Sequence, residues 1–461
     1  MIENTLWDIY SKEQLTELEQ TVQWYKACID QGKTERECVE LSIRMAEDAG
    51  YVSLHQCIDE HRQLLAGDKV YAVYNGKTMV LYHIGKEPME KGMNILGAHI
   101  DSPRIDVKQV PLYENGGFSY LDTHYYGGIK KYQWVTIPLA IHGVIIKKDG
   151  TCVNVNIGEA DDDPVFTITD ILVHLSRKQM EKKAGIVIEG ENLDLLVGSI
   201  PLKGEEKEAV KANTMRLIRE KYQVEEEDFL SAELEIVPAG KARDLGFDKS
   251  MVLGYGHDDR ICAFTSLKAM LECEQTPERT SCCILVDKEE IGSYGASGMQ
   301  SMFFENMTAE VMGLCGFGSD LSLRRALRNS MMLSSDVSAA FDPLYPDVFE
   351  RKNTAYFGKG LVFNKYTGSG GKGSSSDANA EYMAKLRHVM AENQVAFQTA
   401  ELGKVDAGGG GTIAWIMARY GMEVIDSGIA LLCMHAPMEV ASKADIFEAV
   451  RGYKAFLREM K

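Results

Sequence analysis

The segment SCCILVDKEE, residues 281–290, decides the fold prediction, because an uncharged run ends there in acidic residues. The run SCCILV has the length and composition of a buried strand. Glu289 and Glu290 follow it within a few residues. Ligands of open α/β sheets bind beyond the carboxyl ends of the strands, so these two carboxylates lie where a site is expected.

Four other short apolar runs end in the same way. They are ILGAHID (95–101), VLGYGHDD (252–259), MMLSSD (331–336) and ALLCMH (430–435). We therefore expect the polar side chains at five strand ends to meet at one rim of a largely parallel sheet. These side chains belong to His99, Asp258, Glu289, Glu290, Asp336 and His435.

This set of side chains predicts a metal centre. Two histidines with carboxylates form a mixed nitrogen and oxygen ligand set that suits zinc, cobalt or manganese. Two ions close together need a bridging carboxylate, a role that we assign to Asp258. We expect two divalent ions per subunit, with Zn²⁺ preferred over Co²⁺ or Mn²⁺. His99 and Asp336 are predicted to complete one shell, and Glu290 and His435 the other.

Two further residues are assigned to catalysis. Glu289 is predicted to act as the general base, which takes a proton from the attacking water and delivers it to the leaving amine. Asp101 is predicted to accept the other ring N–H of His99 and so to fix the tautomer of that imidazole. Glu289→Gln should then abolish hydrolysis while metal stays bound.

Each motif also has a simpler structural interpretation. Asp258 and Asp259 can cap the helix predicted directly after them, and Asp336 can be a turn residue. His257 competes with His435 as a ligand, and we prefer His435 because it ends an apolar run of its own. The five placements taken together favour a site.

The remaining sequence predicts an α/β/α catalytic domain, with a mostly parallel central sheet, interrupted by an insert. Helical spacing over 12–66 predicts two helices, and KVYAVYN and TMVLYHIG around Asn75-Gly76 predict a hairpin. Between the two catalytic parts, short alternating runs indicate a β-rich inserted domain. The predicted boundaries are 1–110 and 246–461 for the catalytic domain and 111–245 for the insert.

Composition narrows the classes of function. A chain of 461 residues with a net charge of −18 is long enough for two or three domains and lacks the basic surface that nucleic acid needs. It has neither the apolar run of a membrane span nor a signal peptide at MIENTLWDIYSKEQ. Its 10 cysteines contain no CxxC pair, so reduced thiols are expected. We predict a cytoplasmic protein with no nucleic acid or membrane partner.

Six motifs of this chain occur together in one known family. They are HIDSPR (99–104), GHDDR (256–260), DKEEIGS (287–293), SSDVSAA (334–340), CMHAP (433–437) and, within the insert, FTITDILVHLSR (166–177). Together they resemble the M18 family of metallo-aminopeptidases, of the aspartyl aminopeptidase type. Such a resemblance implies the removal of N-terminal residues from peptides, metal ligands at the positions predicted above and Glu289 as the base.

The resemblance also implies partners and substrate contacts. It implies that the inserted domain forms a homodimer, and that dimers assemble into a tetrahedral homododecamer. His174 matches a histidine that can reach the active site of a neighbouring subunit. Lys365 matches a lysine that can contact substrate, and an acidic N-terminal residue is the implied preference. The wider clan leads us to expect a cis bond between Asp258 and Asp259.

Departures from the family pattern speak against a strict acidic preference. The residues after Asp336 are Val-Ser-Ala-Ala-Phe-Asp, without the histidine that follows this motif in members that cleave acidic residues. The Gly-rich segments 368–379 and 405–412 replace more polar family segments. They are either loops near the substrate or surface turns.

Other functions remain as alternatives. An M42-type broad aminopeptidase or an M20-type deacylase or carboxypeptidase shares the same ligand pattern. The length of the insert and the segment 166–177 favour M18. A non-catalytic scaffold would not be expected to keep all five ligands together with Glu289.

Overall fold

The computed structural model of the chain describes residues 5–368, 370–373 and 375–461, which form two compact units. The first unit contains the described residues up to Asp101 and those of Ala242–Met434 and Glu439–Lys461. The second unit contains Ser102–Lys241 and the short stretch His435–Met438.

A nine-stranded sheet forms the centre of the first unit. Five of its eight strand pairs are parallel, and the four central strands run in one direction. The predicted α/β class with a mostly parallel sheet is confirmed. In order across the sheet, the strands are Val52–Ser53, Lys69–Tyr74, Thr78–His83, Ser281–Val286, Asn94–His99, Met331–Ser335, Glu423–Gly428, Leu361–Asn364 and Phe397–Thr399.

Side chains of the central strands alternate between two separate cores. Along Asn94–His99, Ile95 packs into one core, while Leu96 and Ala98 pack into the other. Successive side chains of a strand point to opposite faces, so an apolar central strand must be covered on both sides. Helices provide this cover and give the α/β/α arrangement. They are Leu6–Ile9, Lys12–Gln31, Glu35–Asp48, Leu54–Asp59, His257–Leu271, Phe303–Leu314, Asp320–Arg328, Ala380–Glu392, Ala414–Ala418 and Lys443–Glu459.

Local sequence explains the early elements. The two predicted N-terminal helices begin at Lys12 and Glu35, and each has a capping box built on the preceding Ser11 or Thr34. The predicted hairpin is also present. Its turn residues Asn75 and Gly76 both have positive φ, of 53° and 66°, as a tight hairpin turn requires.

A five-stranded sheet completes the first unit and corrects one expectation. Two of the five apolar runs, Met251–Gly254 and Ala430–Leu432, form strands of this second sheet and not of the central one. The expectation that all five runs end at one rim of a single sheet is therefore wrong. The strand order is Arg243–Leu245, Met251–Gly254, Glu439–Ser442, Ala430–Leu432 and Ser338–Ala339.

The second unit is built on a six-stranded antiparallel sheet, so the predicted β-rich character of the insert is confirmed. The helix Ala209–Tyr222 and the short helix Arg177–Met180 belong to this unit. Within the ranges that the structure describes, no helix in either unit combines the length and the apolar character that a bilayer crossing demands. The strand order is Cys152–Ile157, Leu139–Ile146, Ala232–Pro238, Arg104–Asn115, Phe118–Tyr126 and Leu195–Gly198.

Candidate metal centre

Three neighbouring parallel strands bring the first group of site residues together. Asn94–His99 lies between Ser281–Val286 and Met331–Ser335, with His99 opposite Val286. Because the strands are parallel, their carboxyl ends reach the same edge of the sheet. His99, the Glu289 and Glu290 turn and Asp336 therefore meet at this edge.

The start of a helix delivers the remaining carboxylates. Asp258 and Asp259 lie in the first turn of His257–Leu271, where both have non-helical backbone angles. The peptide bond between them is cis, as expected. The backbone N–H of Asp258 donates to the buried carboxylate of Glu439 at 3.0 Å. This hydrogen bond fixes the position of Asp258.

His99 is the centre of the cluster. Its Nε2 atom lies 3.3 Å from Oδ1 of Asp258 and 3.9 Å from Oδ1 of Asp336. Oε2 of Glu289 is 4.0 Å from the same nitrogen. Two ligands of a tetrahedral zinc ion, each about 2.0–2.2 Å from the metal, lie roughly 3.3–3.6 Å apart. The separation of His99 and Asp258 thus equals that of two donors to one ion.

The donor atoms form three overlapping sets. Within each set, all atoms lie within 4.8 Å of one another. His99, Asp258 and Asp336 each belong to two of the sets, so the sets form one centre. Asp259 belongs to the third set and is the residue that sequence reasoning missed. The available signal was its place directly beside the predicted bridging ligand Asp258. The sets are His99 with Glu289 and Asp336, His99 with Asp258 and Glu290, and Asp258 with Asp259 and Asp336.

Asp101 orients both His99 and the glutamate turn. Nδ1 of His99 lies 2.9 Å from the carbonyl oxygen of Asp101 and 3.3 Å from its carboxylate, which directs Nε2 towards the other carboxylates. The same carboxylate accepts the backbone N–H groups of Glu289 and Glu290, each at 3.1 Å. Asp101 therefore ties two neighbouring strand ends together.

The electrostatics of the cluster fit a bound cation. Burial opposes protonation of His99, but Asp101 and Asp258 outweigh it and raise the pKa of His99 well above its usual value. Burial, and then the charge of Asp259, raises the pKa of Asp336 well above that of an ordinary aspartate. Neighbouring carboxylates favour the protonated form of His99, whereas burial first and negative charge second disfavour the ionised form of Asp336. A divalent ion held by these residues would supply positive charge to the cluster.

The other predicted site residues belong to none of the three donor sets. His435 belongs to the second unit, where its Nδ1 pairs with the carbonyl of Gly128 at 2.8 Å. His174 is exposed in a short 3₁₀ turn of the same unit. Lys365, in the first unit, forms an ion pair with Asp377. Their roles remain predictions.

The competing ligand His257 has a structural role. Its ring is fully buried, Nδ1 pairs with the hydroxyl of Tyr25 at 2.5 Å, and the two rings stack with centroids 5.7 Å apart. Burial lowers the pKa of His257 to about 4, so the ring is neutral at physiological pH. His257 belongs to none of the three donor sets.

An α/β/α unit with a buried histidine and carboxylate cluster at its sheet edge defines a metal-dependent enzyme. A sequence model of one family, described as aminopeptidase I zinc metalloprotease (M18), matches residues 28–457. A probable M18 family aminopeptidase 1 of Clostridium acetobutylicum is 62% identical over 452 residues, which cover 98% of this chain and 97% of that protein. The chain belongs to the M18 family of zinc metallo-aminopeptidases, which hydrolyse peptide bonds.

Solved structures agree with this assignment. The crystal structure of an M18 family aminopeptidase from Thermotoga maritima matches with a TM-score of 0.94 at 43% identity and covers 100% of both chains. The mApe1 dodecamer of S. cerevisiae matches with a TM-score of 0.77 at 20% identity, over 96% of this chain and 97% of that one. The second likeness shows the fold alone. The predicted family is confirmed, in preference to the M42 and M20 alternatives.

Proposed function

We propose that this aminopeptidase works with two divalent ions per subunit, with zinc as the preferred metal. The observation that carries the proposal is the 3.3 Å separation of His99 Nε2 and Asp258 Oδ1 within overlapping donor sets. Asp258 and Asp336 each belong to two sets. Asp258 is the proposed bridge because it lies nearer to His99 Nε2, at 3.3 Å against 3.9 Å for Asp336, and a carboxylate has an oxygen for each ion.

The remaining donors divide between the two ions. His99 and Asp336 complete one shell, and Glu290 and His435 complete the other. For His435, Nδ1 pairs with the carbonyl of Gly128, so Nε2 is the proposed ligand atom. Asp259, which belongs to a set with Asp258 and Asp336, adds negative charge to the centre.

Glu289 is the proposed general base and acid. Ions held by these residues would polarise the substrate carbonyl and lower the pKa of a water molecule. Glu289 belongs to a donor set with His99 and Asp336, so its carboxylate is close enough to accept a proton from the attacking water. It then donates this proton to the leaving amine. The carboxylate of Asp101 accepts the backbone N–H of Glu289 and so holds Glu289 in place.

Metal analysis combined with a substrate panel tests the proposal. We expect about two ions per subunit and hydrolysis of aminoacyl p-nitroanilides, which chelation abolishes and zinc, cobalt or manganese restores. An M20-like enzyme would instead cleave N-acylated amino acids alone. A stoichiometry of one ion at full activity would contradict the dinuclear centre.

The acidic preference implied by the resemblance rests on Lys365. Its ammonium group is paired with Asp377, which also pairs with Lys372 at 3.1 Å. Asp377 is therefore shared by two lysines and offsets only one of their two positive charges. Aspartyl and glutamyl substrates in the same panel test whether this lysine selects acidic residues.

We further propose that the chain forms a homodimer through its second unit and assembles into a tetrahedral homododecamer. The S. cerevisiae mApe1 structure is a dodecamer. In this chain, exposed apolar side chains surround His174, with Val173 75% and Leu175 68% exposed. Such a strip marks an interaction surface, and it would carry His174 towards a neighbouring subunit. Light scattering coupled to gel filtration tests the mass, and a monomer would contradict the assembly.

A cytoplasmic location is proposed from the cysteines. The structure describes all ten and links none of them in a disulfide, and seven of them are buried. Free thiols are typical of a reducing compartment. Fractionation of cells with an antibody against the protein tests the location.

A further inference from the structure

A row of polar side chains crosses the nine-stranded sheet. Asp426 lies opposite Ser334 on one neighbouring strand and opposite Asn364 on the other. Residues opposite each other in a sheet point to the same face, and neighbouring strands lie about 4.8 Å apart. All three side chains are buried, with 2%, 0% and 3% of Asp426, Ser334 and Asn364 exposed. They therefore form one internal polar group.

The surroundings of this row are apolar. The residues two positions earlier on two of the strands, Met332 and Val424, share the face of the row and belong to one hydrophobic core. A carboxyl group or a hydroxyl is costly to bury in such surroundings unless a partner satisfies it. The row therefore needs partners for its polar atoms.

Protein groups satisfy only part of the row. The hydroxyl of Thr412 donates to Oδ1 of Asp426, and the amide of Asn364 donates to the carbonyl of Ala400 at 3.0 Å. Within the described part of the chain, no group bonds to Oδ2 of Asp426 or to Oγ of Ser334, and both atoms are buried. These two atoms belong to directly neighbouring side chains of one face.

The carboxyl group of Asp426 also has no counterion among the described side chains. Burial raises its pKa to about 7, hydrogen bonds from Thr412 and from its own backbone oppose this increase, and no cationic side chain of the described residues contributes. Above that pH, one negative charge is enclosed in an apolar interior, which is costly without a partner of opposite charge.

We propose that Asp426, Ser334, Asn364 and Thr412 form a binding site for a monovalent cation, Na⁺ or K⁺. Oxygen atoms of carboxylate, amide and hydroxyl groups are the ligands that hard cations prefer. One carboxylate balances one positive charge, and the other donors are neutral, so a divalent ion keeps an uncompensated charge in the interior. None of the four residues belongs to the donor sets around His99.

The cation connects the Gly-rich segment 405–412 to the strand that leads to Asp336. Thr412 ends this segment and is half-buried, whereas Gly411 beside it is exposed, so the ion enters from this side. Ser334 lies two residues before Asp336. Ion binding therefore holds the end of the segment against the sheet, close to a proposed zinc ligand.

Thermal unfolding of the metal-loaded enzyme at pH 8 tests the site, because Asp426 is ionised above its pKa of about 7. Potassium or sodium chloride should raise the unfolding temperature of the wild type by about 1–4 °C over tetramethylammonium chloride of equal ionic strength, since an ion that binds only the folded state stabilises it. Tetramethylammonium is too large to enter the row. The salt that acts at the lower concentration identifies the preferred ion.

Two variants of the row test its members. Asp426→Asn should lose the cation-dependent shift, because the amide carries no charge. In tetramethylammonium chloride this variant should be more stable than the wild type, and potassium chloride should narrow the difference by raising the wild type alone. Ser334→Ala removes one neutral donor and should reduce the shift.

Asp445→Asn is the matched control. Asp445 is equally buried, and burial also raises its pKa to about 7. Its two carboxylate oxygens, however, accept the backbone N–H groups of Gly358 at 2.9 Å and Gly360 at 2.7 Å. This variant should keep the full cation-dependent shift, even where its own unfolding temperature is lower.

Crystals soaked in rubidium chloride locate the ion directly, because rubidium substitutes for potassium and gives an anomalous signal. We expect a peak beside Asp426 and Ser334 that Asp426→Asn abolishes. Four results would overturn the inference. They are equal unfolding temperatures in potassium, sodium and tetramethylammonium chloride, an undiminished shift in Asp426→Asn, a shift with calcium chloride alone, and rubidium peaks only at other places. Any of these would leave ordered water as the partner of the row.

Discussion

The carboxylate of Asp101 accepts the backbone N–H of Glu289 at 3.1 Å, across 188 residues of sequence. Its second oxygen accepts the N–H of Glu290 at 3.1 Å. One buried side chain therefore sets both the direction of the His99 ring and the position of the two glutamates. A residue in contact with a ligand controls the metal through that ligand.

Asp101→Asn should weaken the centre without unfolding it. The amide keeps one acceptor oxygen but loses the second, so one of the two glutamate N–H groups loses its partner. We expect metal affinity to fall about 10–100-fold, the usual cost of removing such a supporting group. Competition with a fluorescent zinc chelator measures this affinity, and an unchanged value would contradict the role of Asp101.

Glu289→Gln separates catalysis from metal binding. The variant should keep its metal content while kcat falls by about 10²–10⁴, because the amide cannot accept a proton. Glu290→Gln is the matched control and should lose metal, since Glu290 is assigned as a ligand. If Glu289→Gln lost metal and Glu290→Gln kept it, the two roles would be reversed.

Asp258→Ala should empty the whole centre. Asp258 is a carboxylate that two donor sets share and is the proposed bridge, so its removal should deprive both ions of a ligand. Elemental analysis after gel filtration should find almost no zinc. Asp248→Ala, at an exposed turn where the carboxylate bonds to Ser250, should bind metal normally. One ion retained at full occupancy would show that Asp258 does not bridge.

The sequence was sufficient for the part of the centre that follows from strand ends. His99, Glu290 and Asp336 come from three neighbouring parallel strands, and parallel strands end at one edge. Apolar runs ending in polar residues carry this information locally. The alternation of Ile95 and Leu96 between two cores likewise follows from the uncharged strand sequence.

The sequence was not sufficient where position depends on tertiary contacts. The strand Met251–Gly254 pairs with Glu439–Ser442 in a different sheet, and nothing in its own residues specifies that partner. Asp259 joins the cluster because the backbone at Asp258 and Asp259 departs from helical angles. The double acceptance by Asp101 depends on the turn after Val286, where Lys288 has a φ of 68°.

Gly428→Ala should disturb the centre from the neighbouring strand. A Cβ on Gly428 would overlap the carbonyl oxygen of Asp336, whose own N–H donates to Ser427 at 2.9 Å. The backbone of Asp336 must move, which costs about 1–3 kcal/mol and displaces its carboxylate. The temperature of thermal unfolding and the affinity for zinc should both fall. Gly313→Ala is the control, because a Cβ there meets nothing within 4 Å.

The buried carboxyl group of Asp426 should make the stability of the folded protein depend on pH. Burial raises the pKa of this carboxyl group to about 7, while the hydroxyl of Thr412 donates to it. Between pH of about 4 and 7 the folded state holds the proton that the unfolded state has released. Stability from this group therefore falls as the pH rises through that window. Asp426→Asn stays neutral at every pH and can still accept from Thr412.

The variant should therefore unfold at a higher temperature than the wild type at pH 8, with the difference vanishing below a pH of about 4. Differential scanning calorimetry at both values measures it, with Asp347→Asn at an exposed position as the control. Comparison at equal pH cancels the effects of other titrating groups. A variant less stable than the wild type at pH 8 would mean that the charged form of Asp426 is stabilised by its surroundings, contrary to the burial argument.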